Sequence, residues 1–251
     1  MSANRPFVLT IAGFDPSGGA GILADAKTFE QHHVYGFAVN TGNTIQTENE
    51  FFEMQWTDLN FVLKSLAKLF ENYTIKAVKI GIIPSLDYLR EIVLVVKKLS
   101  PKTKIIWDTV LKSSSEFNFT IIKNQAILIE ILKKIDLITP NYNEILQLSS
   151  GEKNPDLIAL ELSKYCSTLL KGGHNPFAVG IDYLYNGNEI FKLAPNNTLA
   201  FEKHGSGCVL SSAITANLAL GQDLKTACSN AKKYIETYLQ SNQTKLGYHY
   251  A

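Results

Sequence analysis

The stretch FVLTIAGFDPSGGAGILAD, Phe7–Asp25, decides the architecture. Its first part, FVLTIAG (7–13), is an apolar run of strand length that stops at a loop rich in glycine, aspartate and proline. A helix is expected from about Gly19 to His33. A strand, a glycine loop and a helix in that order make the first half of a βαβ unit. Outward from it the pattern repeats. GFAVNTG (36–42) reads as a second strand, and TDLNFVLKSLAKLFENY (57–73) as a helix whose apolar residues at 59, 62, 63, 66, 69 and 70 share one face. IKAVKIG (75–81), a helix over 85–99, KIIWD (104–108), a helix near 124–134 and DLIT (136–139) follow. Further on come a helical NYNEILQLS, a helix over 156–165, the strand TLLKGG (168–173), and helices over 206–220 and 224–241. FAVGIDYLYNGNEIFKLA (177–194) differs in kind, because Asn186-Gly187 between alternating strands signals a β-hairpin with a type I′ turn. The expectation is an α/β fold with a mostly parallel central sheet, helices on both faces and a late β-hairpin. No repeat or linker divides it, so one domain over 1–251 is expected.

Composition narrows the function. Of 251 residues, 45% are hydrophobic and 19% charged, and the formal net charge of +1 gives no electrostatic basis for nucleic acid or an anionic membrane as partner. A small molecule is the expected partner. No stretch approaches the roughly 18 apolar residues of a membrane span, and no secretion signal is evident. The three cysteines, Cys166, Cys208 and Cys228, are too scattered for a disulfide framework or a zinc site, so a cytoplasmic location is expected.

In parallel sheets ligands bind beyond the carboxyl ends of the strands, so the loops there carry the chemistry. GAGILA (19–24) matches a dinucleotide fingerprint in letters only, because Asp15-Pro16-Ser17 intervenes where the first glycine should turn the chain. A P-loop motif is absent. KHGSGCVLSSAITANLALG (203–221) is more informative. A helix starting near Ser206 would aim unpaired N–H groups and the positive end of its dipole at an anion, with Gly205 and Gly207 clearing the approach. Cys208, in the first turn, would have its thiolate stabilised by that dipole and could act as base or polar contact for a hydroxyl. The same residues also read as an ordinary turn before a packed cysteine. Asn141 and Glu144 in TPNYNE could hold Mg²⁺ or its waters, or be a helix cap beside a solvated glutamate. Lys171 could reach phosphate oxygens, or be a surface lysine before a turn. Asp108, at the end of WDTV, is a second candidate for metal or phosphate-side electrostatics. An anion hole, metal ligands and a cation at one sheet edge are the equipment of phosphoryl transfer.

TIAGFDPSGGAGILADAKTF, KIGII, ITPNYNE, LLKGGH and HGSGCVLSSAITANLALG, in this order, resemble the hydroxymethylpyrimidine/phosphomethylpyrimidine kinases of thiamine biosynthesis, within the ribokinase superfamily, over about residues 6–240. The resemblance implies a ribokinase-like fold and ATP- and Mg²⁺-dependent phosphorylation of 4-amino-5-hydroxymethyl-2-methylpyrimidine and its monophosphate. It implies that Gly205, Ser206, Gly207 and Cys208 form the anion hole, with Cys208 facing the attacking hydroxyl. It further implies a substrate pocket of Gly13, Asp25, Gln46, Ile82 and Val110, nucleotide contacts at Asp108 and Lys171, magnesium association at Asn141 and Glu144, and a homodimer. Phe14, Ile82, Thr109 and NTIQTEN (43–49) depart from the family pattern near the substrate rather than the phosphates. A pyridoxal kinase on the same scaffold and a pyrimidine-binding protein without catalysis are the competing readings. The polar loop at roughly 112–120 is a candidate lid.

Overall fold

The computed structural model describes residues 4–112, 117–176, 178–196 and 200–250. Nine strands form one sheet in the order β3-β2-β1-β4-β5-β6-β7-β8-β9. β1 (Phe7–Phe14), β2 (Tyr35–Gln46), β4 (Ile75–Ile80), β5 (Lys104–Trp107), β6 (Leu137–Ile138) and β7 (Ser167–Leu170) run parallel. β3 (Phe51–Trp56) pairs antiparallel with β2, and the hairpin of β8 (Asp182–Asn186) and β9 (Glu189–Leu193) adds antiparallel to β7.

Strand alternation divides the core into two layers. Leu9, Ile11, Val78 and Ile80 pack against α2 (Leu59–Asn72), α3 (Leu86–Leu99), α4 (Gln125–Leu132), α5 (Tyr142–Gln147) and α6 (Pro155–Leu162). Val8, Ala77, Ile106, Leu137 and Leu169 face α1 (Gly21–Gln31), α7 (Ser206–Ala219) and α8 (Leu224–Gln240). Caps fix several helix starts: Asp58, Ser85, Asn124, Asn154 and Asp223 each accept a backbone N–H in the first turn. α7 is buried on nearly all sides, as its uninterrupted small and apolar residues require.

Three local differences from the sequence reading have physical causes. β2 continues past residue 42 to Gln46 and folds back as β3; Thr47 closes the turn, its amide donating to the Glu50 carbonyl while its Oγ1 accepts from Asn49 and Glu50. The Asn- and Thr-rich composition there reads as loop, yet half-buried Met54 and Trp56 alternate with exposed Glu53 and Gln55 as in an edge strand, after a register shift next to Phe51. In the hairpin, Asn186 pairs with Glu189 inside the ladder. The turn residues are therefore Gly187 and Asn188; φ is positive at Gly187 (61°) and not at Asn188, which is the II′ pattern rather than I′. Helix α1 is shorter than expected, because Asp15 holds the preceding loop and accepts the Ala20 amide at 2.9 Å. Of the expected lid, residues 113–116 lie outside the described residues. Its far end returns to the sheet, with Lys112 bridging Asn118 and the Phe117 ring stacked 4.7 Å from Phe51 on β3.

Candidate active site

At the carboxyl edge of the parallel strands, four elements deliver polar side chains to the start of α7. Gly205 is the helix N-cap with φ +71°, and a Cβ there would lie 2.0 Å from the Gly19 carbonyl oxygen and 2.7 Å from the Ala20 Cα. Only glycine permits both the conformation and this approach of the two glycine loops. At Gly207 the nearest atoms to a missing Cβ are Lys171 Nζ at 3.3 Å and Asp108 Oδ2 at 3.9 Å. The opening turn of α7, which has no acidic residue of its own, thus faces a lysine across a space cleared by glycine.

That lysine is the centre of an ion network. Lys171 Nζ donates to Asp108 Oδ1 at 3.1 Å and lies 3.7 Å from Glu144 Oε2. Asp108 is fully buried and also accepts from Thr139 Oγ1 and Ser211 Oγ, each at 3.0 Å. Burial alone would raise its carboxyl; Lys171, Lys79 and these hydrogen bonds hold it below the ordinary carboxylate range. Burial would likewise lower the Lys171 ammonium, and Asp108 and Glu144 instead hold it firmly charged. Glu144 goes the other way: burial, reinforced by Asp108, raises its carboxyl against the pull of Lys171. One lysine between two carboxylates is short of positive charge by one, so the network carries an excess negative charge that a cation would neutralise.

Asn141 caps α5, its Oδ1 accepting from the Asn143 and Glu144 amides at 2.8 and 2.9 Å, while Glu144 Oε2 accepts the Asn141 amide at 2.7 Å. The two residues form a capping box, and the Glu144 side chain is largely enclosed, 12% exposed, rather than freely solvated. Among the described residues no group of three or more His, Cys, Asp or Glu could hold a metal by itself.

Cys208 follows Gly207 in the first turn, and the Gly21 amide at the start of α1 faces its sulfur. The expectation of a dipole-stabilised thiolate is corrected here. Burial pushes the thiol up to about 11; Lys79 and the Gly21 amide oppose this only in part, and Asp108 and Asp25 add to it. The sulfur is a neutral S–H near pH 7, a donor rather than a base already ionised.

Gly13 and Ile82 meet at the ends of β1 and β4: a Cβ on Gly13 would lie 2.4 Å from Ile82 Cδ1. Gln46 at the end of β2 and Val110 beyond β5 are partly exposed at the same sheet edge. Two hydroxyls of β2 tie this side together, Thr41 Oγ1 donating to the Ile82 carbonyl and Thr44 Oγ1 to that of Phe14. Asp25 is not brought to the open cleft. It is fully buried, and its carboxylate accepts Lys79 Nζ at 2.8 and 2.9 Å, Thr10 Oγ1 at 2.5 Å and Ser212 Oγ at 2.6 Å. Its oxygens have no position left for a ring nitrogen, which corrects the reading of Asp25 as a ring contact.

Sequence reasoning missed Thr139, Ser211, Ser212, Lys79 and the pair His204–Asp15. His204 Nε2 meets Asp15 Oδ2 at 2.9 Å and joins the first loop to the residue before Gly205. Burial would raise the Asp15 carboxyl, and hydrogen bonds from His204 and Ser17 hold it low. Only Lys79 carried a local signal, as a lysine inside the apolar strand IKAVKI.

A family model for phosphomethylpyrimidine kinase matches residues 15–251. The hydroxymethylpyrimidine/phosphomethylpyrimidine kinase of Aquifex aeolicus (strain VF5) is 35% identical over 250 residues, covering 95% of this chain and 96% of that protein. The crystal structure of phosphomethylpyrimidine kinase from Clostridium difficile 630 superposes with a TM-score of 0.77 at 33% identity, over 92% of this chain and 98% of that one. The ADP complex of Bacillus subtilis pyridoxal kinase gives a TM-score of 0.79 at 28% identity, over 93% and 91%. By the family model that spans residues 15–251 and a relative 35% identical over 95% of its own length, the chain belongs to the phosphomethylpyrimidine kinase family of phosphotransferases.

Proposed function

We propose that this protein transfers the terminal phosphoryl group of ATP to the hydroxymethyl group of 4-amino-5-hydroxymethyl-2-methylpyrimidine and then to the monophosphate, in thiamine biosynthesis. The observation that carries the reading is the turn at Gly205–Cys208, closed on Gly19 and Ala20, with Lys171 Nζ the nearest group at 3.3 Å from the bare face of Gly207. Backbone N–H groups of the turn and Lys171 would receive the phosphates, stabilising charge where it develops. Cys208 would hold the acceptor hydroxyl in line through its S–H, and Gly13, Gln46, Ile82 and Val110 would seat the ring. Asp108 keeps Lys171 charged and oriented, and both would serve on the nucleotide side.

Mg²⁺ is held in many kinases by one or two carboxylates, phosphate oxygens and waters rather than by a protein cage. The unbalanced negative charge beside Lys171 fits that arrangement, with Glu144 as the carboxylate and Asn141 shaping its helix through the cap. When bound, the ion would supply charge neutralisation on the phosphates. For the assembly we propose a homodimer across the β2–β3 ribbon, where Ile45 and Phe52 are each 58% exposed and β3 is the outermost strand of the sheet. Among the described residues no helix is long and apolar enough to cross a membrane, and all three cysteines are free, which fits the reducing cytoplasm.

Phosphate transfer from Mg-ATP to the hydroxymethylpyrimidine, its monophosphate and pyridoxal, run in parallel with Cys208→Ala as control, tests the reading. Turnover of both pyrimidines, lost in the variant, is the expected result. Preference for pyridoxal would overturn the substrate assignment, and ATP consumption with none of the acceptors would overturn the activity. Sedimentation of the wild type against Phe52→Glu tests the dimer.

A further inference from the structure

The buried pair Asp25–Lys79 touches none of the groups placed on the substrates, yet it sits directly behind the site and its charges bear on Asp108 and Cys208. Both side chains are completely inaccessible, and Lys79 Nζ spans both carboxylate oxygens. An ion pair taken wholly out of water loses much of its hydration, and an apolar pair of similar volume would serve stability as well or better. Its position directly beneath the active site points instead to a role in specifying geometry.

The connections supply that role. Gly21 and Asp25 lie four residues apart, on one face of α1, and Cys208 and Ser212 lie four apart on one face of α7. The two helices meet rung by rung: the Gly21 amide faces the Cys208 sulfur, and one turn further along Ser212 Oγ donates to Asp25 Oδ1 at 2.6 Å. Thr10 Oγ1 from β1 and Lys79 from β4 fix the same carboxylate from below. The adjacent Ser211 makes the corresponding contact to the other buried carboxylate–lysine pair, donating to Asp108 at 3.0 Å. Two neighbouring hydroxyls of α7 are thus held by two carboxylates on different elements, which fixes both the rotation of the helix about its axis and its advance along it.

We infer that Asp25 and Lys79 are a positioning pair, which sets the rotation of α7 through Ser212 and so aims Cys208 and the Gly205–Gly207 turn. The idea rests on the kinase reading only for its activity measurements. A helix rotated by a small angle moves its first-turn groups by a fraction of an ångström to an ångström, enough to cost on the order of 100-fold when reacting atoms must align. Seating of the pyrimidine ring, made by Gly13, Gln46, Ile82 and Val110 on other elements, would change little, whereas the phosphate contacts of the turn shift with the helix.

The test uses two variants of the full chain. Asp25→Leu/Lys79→Met replaces the pair by apolar side chains and removes the acceptor for Ser212; Ser212→Ala removes only the hydroxyl and leaves the ion pair intact. The expected result is a folded double variant with kcat lowered ~30-fold or more and KM for the pyrimidine within ~3-fold, and Ser212→Ala with kcat lowered ~5–10-fold. Independently of turnover, iodoacetamide should alkylate Cys208 several-fold faster in Ser212→Ala at fixed pH, read by peptide mass mapping; Cys166 and Cys228 are buried controls. Wild-type kcat and wild-type alkylation in Ser212→Ala would overturn the inference, and this holds even where the double variant does not fold. If the wild type phosphorylates no acceptor, the functional reading falls while the alkylation comparison still decides the positioning role.

Discussion

Gly205 combines two demands that no other residue meets. Its φ of +71° lies in the left-handed region, which costs an ordinary side chain roughly 1–2 kcal/mol. A Cβ would also sit 2.0 Å from a backbone oxygen that cannot swing away as a flexible side chain could. Gly205→Ala should therefore push the two glycine loops apart, lowering kcat/KM by ~100-fold or more while the far side of the sheet stays intact. Steady-state kinetics with a circular dichroism melt checks this; near-normal kcat/KM would mean the loops are not pressed together in solution. Cys208 carries the second residue-scale prediction. With its thiol pushed up to about 11, alkylation by iodoacetamide should be slow near pH 7, rise about tenfold per pH unit, and level off only above about pH 11. A midpoint below the ordinary 9.0 would restore the thiolate and a role as base.

At the scale of elements, α5 separates a cap from a ligand. Asn141→Asp keeps a good N-cap and should leave the urea midpoint nearly unchanged, whereas Asn141→Ala should cost about 1 kcal/mol of unfolding free energy. Glu144→Gln preserves the capping box, since glutamine also accepts the Asn141 amide, yet removes the charge beside Lys171. Its expected signature is an unchanged urea midpoint with the Mg²⁺ concentration for half-maximal rate raised ~10-fold. A shift in stability with no change in Mg²⁺ dependence would make Glu144 purely structural. The same elements show what a sequence discloses. Long amphipathic helices such as α2 and α3, and buried strands such as β1 and β4, announce themselves through their periodicity. Edge strand β3 does not, because it buries only one face and its polar residues imitate a loop. The glycine turn, Lys171 and Cys208 were legible because each follows a strand or opens a helix. Thr139, Ser211 and Ser212 were not, because a hydroxyl in an ordinary helix or strand gains its meaning only from the carboxylate that another element brings to it.

For the molecule as a whole, the sheet acts as a frame that holds the Asp25–Lys79 pair and the thiols of Cys166 and Cys228 out of water, while Lys171–Asp108 and Cys208 open partly onto the cleft. The thiols make its stability sensitive to alkali. Burial raises Cys208 to about 11 and Cys166 to about 12, and it raises Cys228 as well, from an ordinary value of 9.0. The folded state thus keeps its thiols protonated at a pH where the unfolded chain has released those protons. The stability they contribute is fully present below pH 9, declines as pH rises past 9, and is lost through about 11 for Cys208 and about 12 for Cys166. Urea denaturation between pH 7 and 11 under reducing conditions should show a constant midpoint to about pH 9 and a progressive fall above it. In Cys166→Ala/Cys228→Ala the midpoint at pH 7 drops, since two buried side chains are cut back, but the fall above pH 9 becomes shallower because two of the three titrations are gone. An equally steep fall in that variant would show that Cys166 and Cys228 do not set the alkaline sensitivity.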